Sequence, residues 1–139
     1  MSFLKLNVDA HLHDDGRWGY GMILRRPDGR CIGAATKVLK GSDDVTLAEA
    51  VGIREALNWF VSQHHQRVII KTDADIIVKV ISKKSFPRSN WGKVIQNCAR
   101  DLEGLSHVSV TWVNRKGNQI AHGLGCLAMS KPKLMSWPV

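Results

Sequence analysis

Cysteine is scarce in this chain, and what there is does not pair by spacing. Cys31, Cys98 and Cys126 are odd in number, far apart and form no C-x-x-C. That argues against a disulfide framework and against a zinc site. Isolated cysteines in apolar runs are usually small core residues. A reducing compartment, nucleus or cytoplasm, is expected. No basic N-terminal region leads into an apolar stretch, so no secretory signal is expected. No apolar run approaches the roughly 18 residues of a membrane span, so a membrane partner is not expected. Internal repeats, linkers and low-complexity tracts are missing as well. Acidic residues are outnumbered, 12 against 20 basic ones, and the net charge is +8. Such an excess favours a polyanionic partner, nucleic acid first.

What is there fits one folded unit. A chain of 139 residues, 44% apolar and 23% charged, is ordinary for a single globular domain. We expect one domain over 1–139, with its core at about 4–129 and an irregular tail around Pro132 and Pro138. The pattern begins at once after Met1, which suggests a domain cut from a longer chain. A monomer is expected.

Periodicity gives the element order. Residues 3–10 alternate, with Leu4, Leu6, Val8 and Ala10 on one face and Lys5, Asn7 and Asp9 on the other. A polar turn over 11–17 leads to a strand over 18–26, and Pro27-Asp28-Gly29 turns the chain into a third strand over 31–38. From about Thr46 to Gln63 the period becomes helical, with Ala50, Ile53, Leu57, Phe60 and Val61 in one stripe. A short strand over 68–72 runs into Asp73, and helices are predicted over 74–84 and 91–105. The last strand, 107–113, should turn Val108, Val110 and Trp112 inward. A polar turn over 114–118 precedes a final helix over 119–130 carrying Ile120, Leu124 and Leu127. Strands joined by short turns pair antiparallel, and strands joined through helices run parallel. The fold class is therefore α/β: a mixed five-stranded sheet, three antiparallel strands plus two parallel crossovers, flanked by helices.

Three carboxylates stand at informative places. Asp9 is near the end of the first strand, Glu49 in the first turn of the first long helix, and Asp73 at the end of the fourth strand. If strands one and four are parallel neighbours, their C-terminal ends lie about 5 Å apart, at the edge where α/β sheets bind ligands. Two carboxylates at 4 Å repel by on the order of 4 kcal/mol at an effective dielectric of about 20. A cation or a proton must neutralise such a cluster. Carboxylate oxygens suit Mg²⁺ or Mn²⁺, and two such ions would clamp the oxygens of a phosphodiester. Two of the acids also have a plain structural reading, Glu49 as a charge near a helix N-terminus and Asp73 as a helix cap; Asp9, a polar residue in a strong strand, is harder to explain that way. Asp75 and the turn residues Asp14, Asp15, Asp43 and Asp44 read as solvated.

Taken in order, Leu-Asn-Val-Asp9, Gly16-Arg-Trp-Gly-Tyr-Gly21, Leu-Ala-Glu49-Ala, Lys-Thr-Asp73 and Trp-Val-Asn-Arg-Lys-Gly-Asn118-Gln-Ile-Ala-His122 resemble the ribonuclease H family. The likeness is greatest to the plant ribonuclease-H-like branch related to non-LTR retroelement reverse transcriptases, and it spans Leu4 to Met129. Each motif is short; their order and spacing together are specific. The resemblance implies an endonuclease that cuts the RNA strand of an RNA–DNA hybrid with two Mg²⁺ or Mn²⁺ ions, leaving a 3′-hydroxyl and a 5′-phosphate. It carries metal ligation and catalysis onto Asp9, Glu49 and Asp73. The family's fourth ligand, usually Asp, falls on His122, a familiar variant in the plant-like branch. Imidazole suits Mn²⁺ better than Mg²⁺, and His122 is open to a second reading as a proton carrier. Substrate contacts are expected from Gly19, Gly21, Arg88, Trp91, Arg115, Lys116 and Asn118.

Three departures from the family pattern bear on activity. The loop Asn114-Arg115-Lys116-Gly117 lacks the histidine of bacterial-type members. Asp75 stands where a substrate-contacting polar residue is common, and the basic protrusion is reduced to Lys83, Lys84 and Arg88. A rival reading is therefore a module of the same fold, with weak or lost catalysis, that binds nucleic acid or protein. An exonuclease of this superfold is a third, set against the Asp9-Ala-His sequence where an Asp-x-Glu pair is usual.

Overall fold

The structure, a computed structural model, describes residues 3–41, 43–61, 67–127 and 135–136. Strands β1 (Leu4–Leu12), β2 (Arg17–Arg25) and β3 (Cys31–Lys40) form an antiparallel meander. Helix α1 (Val45–Val61) crosses to β4 (Val68–Thr72), and α2 (Asp75–Lys83) with α3 (Asn90–Glu103) crosses to β5 (Val108–Trp112). A 3-10 turn, Lys116–Asn118, opens α4 (Gln119–Leu127). The sheet order is β5-β4-β1-β2-β3, with β4 parallel to both β1 and β5. This is the expected sheet of five strands. The expected irregular tail differs at one place: Met135–Ser136 form a short strand, β6, antiparallel to Ala35–Thr36 on the β3 edge. The rest of the tail lies outside the described residues.

The meander runs longer than periodicity suggested. His11 and Leu12, expected in a turn, extend the β1 ladder by pairing with Gly19 and Trp18. The turn shrinks to a hairpin closed by His13 N–H donating to the Arg17 carbonyl, with Gly16 at φ 82° where a side chain would be strained.

Alternation along β1 then decides which helix covers which face. Leu4, Leu6 and Val8 join α1 residues Ala50, Ile53, Leu57 and Phe60, β4 residues Val68 and Ile70, and Ile77, Ile95 and Cys98 in the main core. The opposite face of β1 and β2 is packed by α4. Asn7 and Asp9, on that second face, are therefore buried too, at 1% and 5% exposure.

Several side chains lie elsewhere than expected. Trp112, the last residue of the edge strand, is 51% exposed rather than inward, and Ile120 is exposed while its neighbour Ala121 takes the buried position on α4. The side chains of Leu124, Leu127 and Cys126 lie outside the described residues. Cys98 is buried as expected, but Cys31 is exposed at the start of β3.

Candidate functional site

Pairing between β1 and β4 ends at Asn7 and Lys71. Two residues further on stand the acids, Asp9 within β1 and Asp73 just past the end of β4. Beyond Asn7, β1 continues only with β2, so the ends of β1 and β4 part and open a cleft at the sheet's switch point. The cleft is about 420 Å³ and is lined by Asp9, Glu49 and Asp73 among others.

Glu49 enters from α1. Asp44 caps that helix, its Oδ1 accepting from Leu47 N–H at 3.1 Å. The helix begins at Val45, one residue earlier than predicted, so Glu49 falls just past the first turn and is not an N-terminal charge. Asp73 is not a helix cap either: Ala74 occupies that position with no side-chain bond, and Thr72 Oγ1 accepts from Ala74 N–H. Neither structural reading of these acids survives. Asp9, Glu49 and Asp73 each offer an oxygen, and these oxygens lie within 4.8 Å of one another.

The electrostatics follow from that crowding. At such separations one pair of charges repels by roughly 3 kcal/mol at an effective dielectric of about 20. Burial, then the neighbouring Asp73 and Asp9, push the Glu49 carboxyl up to about 8; the cation of Arg115 opposes the shift. Burial also raises Asp9, reinforced by Asp73 and opposed by its hydrogen bond to His122. Near neutrality the trio thus keeps a proton. Three hard oxygen donors gathered this way fit a divalent ion of the Mg²⁺ or Mn²⁺ type.

His122 reaches the same place from α4. Its Nδ1 lies 2.8 Å from Asp9 Oδ2, and the imidazole is 56% exposed. It touches the acidic trio through Asp9 and is not one of the convergent oxygen donors. His11, two residues beyond Asp9 on β1, sets its ring edge-on to His122, with centroids 5.2 Å apart. Neither His11 nor Trp18 was expected to line the cleft, though both do. The spacing of His11 from Asp9 was the available signal, because residues two apart on a strand share a face.

The expected nucleic-acid contacts divide. Arg115 and Lys116 line the cleft, and Arg88 is exposed in the loop between α2 and α3. Trp91 is half-buried against the main core. Gly19 and Gly21 are buried within β2, paired to β1 and β3 on either side, so they offer no backbone to a ligand. Asn118 is 1% exposed; its amide donates to the Val8 carbonyl and accepts from Asn7. It serves the interior and cannot reach a substrate. Asp75 is solvated and paired with Lys79 at 2.8 Å.

With this geometry the chain can be set beside known proteins. A family model described as reverse transcriptase-like matches residues 7–128. No curated protein matches the sequence. Among solved structures, ribonuclease H1 of Halobacterium salinarum superposes with a TM-score of 0.79 at 19% identity, over 93% of this chain and 98% of that one. LC11-RNase H1, isolated from compost by a metagenomic approach and solved with an RNA/DNA hybrid, gives 0.74 at 14% identity, over 92% and 97%. The foamy viral protease-reverse transcriptase, also solved with an RNA/DNA hybrid, gives 0.71 at 13% identity, over 94% of this chain but 20% of that one. The match over 7–128, on a sheet and helix order shared with these structures, makes this chain a member of the reverse-transcriptase-like family with the ribonuclease H fold.

Proposed function

We propose that this chain is a metal-dependent endonuclease that cuts the RNA strand of RNA–DNA hybrids. The observation that carries this reading is the convergence of Asp9, Glu49 and Asp73 oxygens within 4.8 Å, in a cleft edged by Arg115 and Lys116. Asp9, Glu49 and Asp73 would hold divalent metal, two Mg²⁺ or Mn²⁺ ions on this reading, which would supply the positive charge that activates water and stabilises the scissile phosphate.

The chain's own residues do the rest. Arg115 and Lys116 bind backbone phosphates and set the strand across the cleft. Arg88, on its exposed loop, holds the second strand. Glu49 would give up its proton on binding a cation. His122 keeps Asp9 oriented through Nδ1 and, being half exposed, carries a proton between the site and solvent. Membership of the reverse-transcriptase-like family supports an origin in a retroelement.

A second reading has one observation in its favour: the fourth position of the site is an imidazole already bonded to Asp9, so the donor set has three carboxylates. On that reading the chain binds hybrid and cuts it weakly or not at all. Cleavage of a labelled RNA–DNA hybrid with Mg²⁺ and with Mn²⁺, beside Asp73→Asn, separates the two. Metal-dependent cutting of the RNA strand, lost in the variant, supports the nuclease. Folded protein that binds hybrid without cutting it in either ion leaves the binding module.

A further inference from the structure

We infer that Asn7 and Asn118 form a positioning lock that holds His122 against Asp9. The two amides are each 1% exposed and 111 residues apart. Asn7 Nδ2 donates to Asn118 Oδ1 at 3.0 Å and to the Gly117 carbonyl at 3.2 Å. Asn118 Nδ2 donates to the Val8 carbonyl at 2.8 Å. Arg25 Nη2 donates to Asn7 Oδ1 at 2.8 Å.

The polarity of this chain of bonds is fixed from one end. A guanidinium only donates, so Arg25 must face the oxygen of Asn7. That turns the Asn7 amide nitrogen toward two acceptors, the Gly117 carbonyl and Asn118 Oδ1. Asn118 must then present its own nitrogen to Val8. No amide flip satisfies the set a second way. An unsatisfied buried amide costs about 1–3 kcal/mol, so any sliding of α4 that breaks these bonds is penalised, whereas apolar contacts alone would tolerate it.

Both ends of the lock adjoin the site. Val8 immediately precedes Asp9. Asn118 closes the 3-10 turn, and His122 stands four residues on, one helical turn into α4. Gly117 permits the close packing there, because a Cβ at that position would meet Val113 Cγ2 at 2.5 Å. The lock therefore transmits the position of β1 to the imidazole. A hydrogen bond of 2.8 Å does not survive a displacement of about 1 Å.

The role in catalysis rests on the proposed nuclease, but the positioning does not, and the test reads it separately. Long-range proton–nitrogen spectra of the His122 ring are recorded on metal-free protein, native and Asn118→Ala, alongside thermal melting. The native ring should show excess proton on Nδ1, held by Asp9. The variant should revert toward the Nε2–H form that solvated histidine favours, while the rest of the amide spectrum stays dispersed. An unchanged ring signature with a lowered melting point would overturn the inference and leave a purely structural pair. If Asn118→Ala does not fold, Asn7→Ala, which keeps the bond to Val8, is read by the same two outcomes. Where hybrid cleavage is measurable, Asn118→Ala should add less than a twofold loss of kcat in a His122→Ala background; a full multiplicative loss there would also overturn it.

Discussion

His122 Nδ1 and Asp9 Oδ2 are 2.8 Å apart across 113 residues of chain. The ring thus reaches the acidic trio by binding one of its members. On the proposed reading, His122→Ala should lower hybrid cleavage by roughly 10²-fold, the low end for a positioned proton carrier. His122→Asp should do something different: a fourth carboxylate favours Mg²⁺ over Mn²⁺ relative to imidazole. The ratio of Mg²⁺ to Mn²⁺ activity should rise in that variant, and an unchanged ratio would separate His122 from the metal altogether.

Glu49 ties stability to pH. Its carboxyl, ordinarily near 4.5, is held at about 8 in the fold. Between those values the folded chain keeps a proton that the unfolded chain has released, so stability falls as pH rises through that window. Asp9 is shifted in the same direction. The melting temperature of metal-free protein should therefore decline from mildly acidic to alkaline buffer. Glu49→Gln should flatten the decline, and Mn²⁺ should raise the native melting temperature most at the alkaline end, where no proton competes. A native profile as flat as that of the variant would mean that Glu49 is neither buried nor crowded enough to hold its proton.

Gly92 holds the loop that carries Arg88. A Cβ there would stand 2.0 Å from the Pro87 carbonyl oxygen, backbone that must move. Gly92→Ala should cost about 1–3 kcal/mol of stability, the range for forced overpacking. Because the displaced segment bears Arg88, hybrid affinity should weaken while Mn²⁺ affinity stays as it was. Loss of both would place the damage in the core rather than the loop.

The outline of the site was legible because it depends on where strands end. Asp9 and Asp73 close two apolar runs that a parallel register brings side by side, and Glu49 directly precedes Ala50, where a helical stripe of clear period begins. What could not be read was the second face of β1. Asn7 and Asp9 alternate with apolar residues as a solvent-facing set would, yet α4 covers them. The cover is possible because the polar groups satisfy one another over a separation of 110 residues or more, which no local pattern reveals. The burial of Gly19, Gly21 and Asn118 is equally hidden from a local pattern, because it arises where β1 and β2 meet the segment around α4. Trp112 erred the other way. Its alternation is inward, but it ends the edge strand.

Arg115 and Lys116 provide the test of how substrate is held. Both line the cleft beside the carboxylates, and Arg115 is close enough for its charge to pull the Glu49 carboxyl down. If each neutralises one phosphate, replacing either with Ala should weaken hybrid binding at all sequences alike and reduce the slope of log K against log salt by about 1. The two differ in a second respect. Arg115→Ala also removes a cation from beside Glu49, and that charge repels a divalent ion more than the single proton the ion displaces, so metal binding near neutrality should strengthen in Arg115→Ala more than in Lys116→Ala. Fluorescence anisotropy of a labelled hybrid across a salt series measures the first effect, and Mn²⁺ titration of the free protein measures the second. A salt slope unmoved by both substitutions would take the nucleic acid away from this cleft, and with it the proposed substrate.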